Sequence, residues 1–340
     1  MHTGAIKNFG DKVKFLSLFS GIGGFDYGFI KAGHECVAWC ELDKFAHKAF
    51  QILHDPKGVI PNEFDVRNVS DGFIRSVTER SGKIDAIVAG FPCQAFSIAG
   101  KREGFKDATR GTLFFEIMRI AEIAKPNFLI LENVKGLLNH GGGNTFHIII
   151  NTLDELGYDC EWQVLNSKYF GVPQNRERVF IVGYLRGSGR SKIFPIEQEN
   201  NGTIEVVGKL NIKGKDQIQR IYSVEPSFTL TVRDPHGIIV VGNIKPDKCT
   251  RLGTRDQVYS SKGIVGTLQA TDYKQPKKIY DNYRIRKLTP LECFRLQSYP
   301  DQWYYTLKEH GFSDSQLYKM AGNGVTSNVA FEIAKKLVKI

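Results

Sequence analysis

Short apolar runs and amphipathic stretches alternate through the first 185 residues of this chain. Val13–Phe19, Glu35–Cys40, Ile84–Ala89, Phe128–Leu131, Trp162–Asn166 and Val179–Tyr184 read as buried strands, each a short apolar run. Between them, Gly24–Gly33, Lys44–Leu53, Thr112–Ala124 and Thr145–Leu156 space their apolar residues as helices do. The alternation predicts an α/β fold with an open, doubly wound, mostly parallel sheet.

The pattern changes after Leu185. Residues 186–282 are rich in Gly, Lys, Thr and Asp, carry short β-like pieces such as Ile238–Val241, and show no clear helix. A smaller inserted domain of loops and strands is expected there. It holds a faint internal echo, Arg220-Ile-Tyr-Ser with Thr229-Leu230 and Gln257-Val-Tyr-Ser with Thr267-Leu268, short enough to be coincidence. Helical character returns at Thr289–Leu296, where Thr289-Pro290 makes a cap and first-turn pair. It ends with Gly324–Ile340, whose Val325, Val329, Ile333 and Leu337 mark one apolar face. The expected organisation is residues 1–185, an insertion at 186–282, and a segment 283–340 returning to the first domain.

Composition narrows the class. With 41% hydrophobic and 24% charged residues in 340, the chain is globular and long enough for about two units. No apolar run approaches the ~18–20 residues that span a bilayer, and Met1–Val13 lacks an apolar signal core, so a cytoplasmic protein is expected. Six cysteines without a C-x-x-C pair argue against a disulfide framework or zinc site, and leave any one free to act as a thiolate. The net charge of +10 is uneven: residues 186–282 hold 16 Lys and Arg against 10 Asp and Glu. That suits a polyanionic partner, although a solvated lysine-rich surface explains it equally well.

Four motifs carry candidate chemistry. In Phe19-Ser-Gly-Ile-Gly-Gly24 a strand runs into glycines and then a helix, so backbone can approach a ligand, and Glu41 ends the next strand where ribose hydroxyls are held. Asp26 occupies the place of the third glycine of a dinucleotide fingerprint, which favours an adenosine ligand without phosphates; a tight strand–helix turn is the plain alternative. Gly90-Phe-Pro-Cys-Gln places Cys93 just past a strand's carboxyl end, behind a stiff Pro92 and ahead of a Gly- and Lys/Arg-rich loop; a small buried hydrophobe is the other reading of that cysteine. Phe128-Leu-Ile-Leu-Glu-Asn-Val ends an apolar strand in Glu132, a carboxylate that could equally be a cap or an ion-pair partner. In Gln174-Asn-Arg-Glu-Arg178, two arginines at period two are expected to face the same way, unless they are surface ion pairs.

Taken in order with Ala321-Gly-Asn-Gly-Val325, these motifs resemble the bacterial DNA cytosine-5 methyltransferases, in particular the HhaI-type restriction–modification enzymes, over residues 13–185 and 284–340. The resemblance implies S-adenosylmethionine as methyl donor, S-adenosylhomocysteine as product, no metal, and a cytosine flipped out of double-stranded DNA. It implies Cys93 as nucleophile at ring carbon 6, Glu132 on ring nitrogen 3 and the exocyclic amine, Arg178 on the carbonyl oxygen, and Arg176 in support. For the cofactor it implies Phe19, Gly21, Gly23, Gly24, Glu41, Leu42, Asp65, Val66, Pro92, Leu113 and Asn323. The insertion stands where the family carries its target-recognition domain, with Arg220, Arg233, Arg251, Arg255 and Gln257 as candidate base readers. A monomer working apart from a cognate restriction endonuclease is expected.

The chain departs from the family at three places. Ala99 stands where a serine is often found on the catalytic loop, Leu42 where relatives often have tryptophan, and Phe64 where glycine usually precedes Asp65. Three rival readings remain: a tRNA cytosine-5 methyltransferase on the same scaffold, a non-catalytic module that senses S-adenosylmethionine, and a nicotinamide oxidoreductase.

Overall fold

The computed structural model describes residues 12–92, 113–188, 193–198, 240–243, 257–260, 264–274, 276–281 and 284–337. In chain order these form β1 (Lys14–Leu18), α1 (Gly24–Lys31), β2 (Glu35–Cys40), α2 (Lys44–His54), β3 (Asn62–Glu63), α3 (Asp71–Ser81) and β4 (Ala86–Gly90). Next come α4 (Leu113–Ala124), β5 (Phe128–Val134), α5 (Asn144–Glu155), β6 (Tyr158–Asn166), β7 (Gln174–Asn175) and β8 (Glu177–Leu185). Short strands follow: β9 (Val240–Asn243), β10 (Gln257–Ser260), β11 (Val265–Gly266), β12 (Lys278–Asp281) and β13 (Arg284–Lys287). The chain ends in α6 (Pro290–Leu296), α7 (Asp301–Glu309), α8 (Asp314–Asn323) and α9 (Ser327–Ala334).

Two compact units divide these elements: Met1–Leu165 with Glu177–Glu197 and Val325–Ile340, and Asn166–Arg176 with Gln198–Gly324. This differs from the division read from composition. Pairing of β12 with β13 crosses position 283, and Gly322 of α8 lies against the Gln269 backbone, so residues up to 324 belong to the smaller unit.

The first unit is built on a seven-stranded sheet of order β3-β2-β1-β4-β5-β8-β6. β1 pairs in parallel with β2 and β4, β4 in parallel with β5, and β8 runs antiparallel to β5. Strand order reverses between β1 and β4, and such a switch point opens a crevice at the strands' carboxyl ends. Leu16 and Leu18 of β1 sink into a core with Ile87, Leu129, Ile181 and the α4 residues Phe114 and Met118. Phe15, one position out of phase, meets Phe29 of α1 edge-on at 5.2 Å. The sheet is therefore covered on both faces, as the continuous apolar runs predict.

α9 packs on α1, where Gly28 leaves room: a Cβ there would stand 2.7 Å from Cβ of Ala330. His34 locks the same corner, its Nδ1 accepting from the Val13 amide (3.3 Å) and its Nε2 donating to the Ala334 carbonyl (2.9 Å). The expected helix over 324–340 is shorter than its apolar spacing suggests. Gly324 is extended (ψ 164°), α8 ends before it, and α9 starts only at Ser327. α3 escaped the sequence pattern because it buries only Ile74 and Val77, although Ser70 caps it by accepting from the Phe73 amide. β6 begins four residues earlier than its apolar run, where exposed Asp159 sits between buried Tyr158 and half-buried Cys160.

The second unit holds a four-stranded sheet of order β13-β12-β10-β9 and a two-stranded pairing of β11 with β7. Gly322 on α8 touches the backbone of Gln269, where any Cβ would overlap the carbonyl at 2.2 Å.

Candidate active site

The turn after β1 is shaped by backbone that few residues adopt. Phe19 (φ 55°), Gly21 (φ 58°) and Gly23 (φ 87°) are left-handed, and α1 begins at Gly24. Gly23 has no room for a side chain: a Cβ would fall 2.0 Å from Nε2 of His54. That nitrogen donates to the Ile22 carbonyl at 3.0 Å, and burial lowers the imidazole pKa to about 4, so the ring is neutral. Gly21 is the opposite case. A Cβ there would meet nothing within 4 Å among the described residues, so the loop is open on that side.

Glu41 closes this cradle from the end of β2. Its Oε2 accepts from the Gly21 amide and its Oε1 from the Asp43 amide, both at 2.7 Å. Burial pushes its carboxyl above the usual range, opposed by those two amides. A carboxylate offers about four acceptor positions, so capacity for hydroxyl donors remains.

Around the cradle the implied cofactor residues separate. Leu42 is 57% exposed beside it. Asp65 caps the turn Val66–Asn68 by accepting from the Arg67 amide (3.0 Å), and its carboxylate is gripped by the Arg67 guanidinium, which holds its pKa down. The Val66 side chain lies inside the core instead, and only its backbone borders the turn. Arg119 on α4, unremarked in the sequence, fixes that turn by donating to the carbonyls of Val69 (2.8 Å) and Val66 (3.2 Å). Phe64 is 45% exposed and stacks on His47 with ring centroids 4.0 Å apart. Leu113 opens α4 half-buried, and Pro92 is exposed just past β4. Cys93, Ala99 and the rest of 93–112 lie outside the described residues.

At the ends of β4, β5 and β8 the acid and one arginine come together. The β4–β5 register sets Gly90 beside Glu132, and the β5–β8 register sets Val134 beside Arg178. Arg178 Nε lies 3.0 Å from Glu132 Oε1, and both side chains are largely buried. Arg178 also donates from Nη1 to the Glu177 carbonyl at 2.8 Å. Alongside, exposed Lys135 pairs with Glu177 at 2.8 Å.

Arg176 does not share that environment, which corrects the period-two expectation. It lies between β7 and β8 rather than within one strand. Its buried guanidinium donates to carbonyls of the second unit, Leu268 (3.0 Å), Gly322 (3.3 Å) and Gly324 (2.6 Å). Gln174 acts likewise, donating to Leu296 O (2.7 Å) and accepting from the Leu268 amide (3.1 Å). Those two side chains of the Gln-Asn-Arg-Glu-Arg motif are architectural ties within the second unit, and Asn323 is exposed at the end of α8. Among the described residues, no group of three His, Cys, Asp or Glu could hold a metal ion. None of the described helices is long and apolar enough to cross a membrane.

The chain is similar to known proteins along nearly its whole length. The chain is 35% identical to the type II methyltransferase M.HhaI of Haemophilus parahaemolyticus, over 95% of this chain and 93% of that one. It is also 35% identical to the type II methyltransferase M.Bsp6I of a Bacillus species, over 96% and 99% of the two chains. An Escherichia coli structure described as a putative DNA modification methyltransferase encoded within a prophage shares the fold, with TM-score 0.64, 20% identity, and coverage of 96% and 98%. The profile of the C-5 cytosine-specific DNA methylases matches residues 13–339, and the chain belongs to that family.

Proposed function

We propose that this protein flips a cytosine out of duplex DNA and methylates its ring carbon 5, as the modification partner of a restriction–modification system. The observation that carries the reading is the buried pair of Glu132 and Arg178, 3.0 Å apart, beside the Gly90–Pro92 segment that leads to Cys93. The type II designation of M.HhaI and M.Bsp6I supports the restriction–modification context.

The chemistry follows from a difficulty. Carbon 5 of cytosine is too weak a nucleophile to take a methyl group unaided. Attack of the Cys93 thiolate on carbon 6 turns the ring into an enamine, with electron density at carbon 5. Glu132 stabilises that form by hydrogen-bonding ring nitrogen 3 and accepting from the exocyclic amine, while Arg178 donates to the ring carbonyl oxygen. Loss of the carbon-5 proton and of the thiolate then restores aromaticity. Because the target atom is hidden in a duplex, the base must leave the stack, as methyltransferases are known to require.

The Gly21 cradle and Glu41 fit S-adenosylmethionine. The open side of Gly21 leaves space for a nucleoside, and the Glu41 carboxylate keeps lone pairs for two ribose hydroxyls. Glu41 would hold the ribose, Asp65 the adenine amine once Arg67 yields one oxygen, and Phe19 and Leu42 the ring faces. When bound, that group supplies an electrophilic methyl. The basic balance of residues 186–282 supports a target-recognition role for them. Bisulfite sequencing of host DNA with and without the protein tests the reading and identifies the site. Methylation of tRNA with none of DNA would overturn it.

A further inference from the structure

We infer that Asn133 is a positioning residue for the nucleophile, setting the backbone two residues before Cys93 against the strand that carries Glu132. The inference rests on the methyltransferase reading above. Backbone pairing between β4 and β5 ends at Gly90 and Glu132. Immediately beyond, Pro92 has no amide hydrogen with which to continue a ladder. The Asn133 side chain takes over at that point. Its Nδ2 donates to the Phe91 carbonyl at 2.9 Å, across 42 residues of sequence. Its Oδ1 accepts from the Val134 amide at 2.8 Å, so both ends of the carboxamide are committed.

Only one orientation satisfies these partners. Turning the amide over would set its oxygen against the Phe91 carbonyl and its NH2 against the Val134 N–H. The group is 2% exposed, so no water competes for either partner. One rigid carboxamide therefore joins the exit of β4 to the exit of β5. The chain leading to the thiol and the carbon bearing the acid cannot drift independently. Asn133 acts on the chain leading to Cys93 through the Phe91 carbonyl.

The donor at Nδ2 is what the assignment needs, and aspartate is its isostere with no donor when ionised. The test uses DNA carrying tritium at carbon 5 of every cytosine, with no methyl donor. When the thiolate bonds to carbon 6, the ring's electron pair takes a solvent proton at carbon 5. Loss of the tritium as a triton and of the thiolate then regenerates cytosine, so released tritium counts attacks by Cys93 whatever the recognition sequence.

At pH 8, N133D is expected to release tritium between about tenfold and 100-fold more slowly than wild type. Its affinity for S-adenosylhomocysteine should stay close to wild type, while its melting temperature should fall relative to wild type at pH 8 and recover toward pH 6, because the buried carboxylate penalises the fold only when ionised. As pH falls to 6 the deficit should shrink, because a buried carboxylic acid protonates readily and its O–H can donate to Phe91. N133A, which has no donor at any pH, should show a constant deficit. Wild-type release by N133D at pH 8, or a deficit unchanged by pH, overturns the assignment. If N133D does not fold, N133A decides alone: slowed release with unchanged cofactor affinity supports the assignment, and unslowed release overturns it. Wild-type protein that releases no tritium overturns the reaction itself, whereas wild-type release with unimpaired variants overturns only the role of Asn133.

Discussion

A Cβ on Gly90 would stand 3.3 Å from Oε2 of Glu132, closer than most such contacts allow. The acid is thus seated against bare backbone on one side and held by Arg178 on the other. Gly90→Ala should push the carboxylate by a few tenths of an ångström, with Cγ2 of Val325 at 3.5 Å limiting any retreat of the strand. We expect a folded protein, destabilised by about 1–3 kcal/mol, whose turnover falls further than its cofactor affinity. Thermal melting, calorimetry and methyl-transfer rates on one preparation check this.

Covalent chemistry at Cys93 predicts trapping. DNA copied with 5-fluorocytosine throughout should form an adduct stable to denaturing gels, since fluorine cannot leave carbon 5 as a proton does. Cys93→Ser should abolish the adduct and leave the melting temperature unchanged. An adduct that persists in this variant removes Cys93 from the mechanism.

Glu41 should govern cofactor affinity. Replacing it with Ala removes the acceptor of any ribose hydroxyl and the tie to Gly21 (2.7 Å), and should weaken S-adenosylhomocysteine binding by about 1.5–3 kcal/mol. Its raised carboxyl pKa adds a pH signature. Wild-type affinity should decline as acidification protonates Glu41, beginning above the usual carboxylate range, and the Ala variant should lose that dependence. Calorimetric titration across pH decides the point.

Asp26 carries a stability cost that depends on pH. The carboxyl is fully buried, Ser17 donates to its Oδ2 at 3.0 Å, and the Cys36 thiol and its own backbone add weaker support. Desolvation raises its pKa from 3.8 to about 7. Below pH 3.8 the group is neutral in both folded and unfolded chains and costs nothing. Between there and pH 7 the unfolded chain ionises first, so stability falls, and above 7 the penalty is constant. Asp26→Asn should therefore gain about 1–3 kcal/mol relative to wild type near neutral pH and little near pH 4. Denaturant melts at the two pH values test the sign.

The two arginines of the Gln-Asn-Arg-Glu-Arg motif should separate under the same substitution. Arg176→Lys loses the fork that reaches three carbonyls, each bond worth about 1.5–3 kcal/mol, and should fail chiefly in stability. Arg178→Lys should keep its fold and lose turnover. Equal melting temperatures for the pair would overturn the architectural reading of Arg176.

Local patterns made the sheet and its strand-end carboxylates legible. β1, β2, β4 and β5 are short apolar runs, and Glu41 and Glu132 follow directly from where those runs stop. What stayed hidden depends on contacts between distant positions. Asn133 reads as an ordinary polar residue until Phe91 is brought beside it. Arg176 reads as a twin of Arg178 because nothing local reveals that β7 and β8 part at that residue. Arg119 looks like any helix-surface arginine on α4, and its hold on Val66 and Val69 appears only in three dimensions. The late start of α9 stayed hidden because apolar spacing continues through Val325, and only the extended backbone at Gly324 and Thr326 departs.

The packing of α9 onto α1 has a consequence for biosynthesis. Gly28 meets Ala330, and His34 bonds Ala334, so the helix that follows the glycine turn is covered by residues some three hundred positions later. While the ribosome is still making the second unit, that side of α1 stays bare and the cradle beside it lacks its backing. The first unit then cannot complete its packing on a partial chain. A chain that stops before Ser327–Ala334 should leave this face of α1 exposed and prone to aggregation.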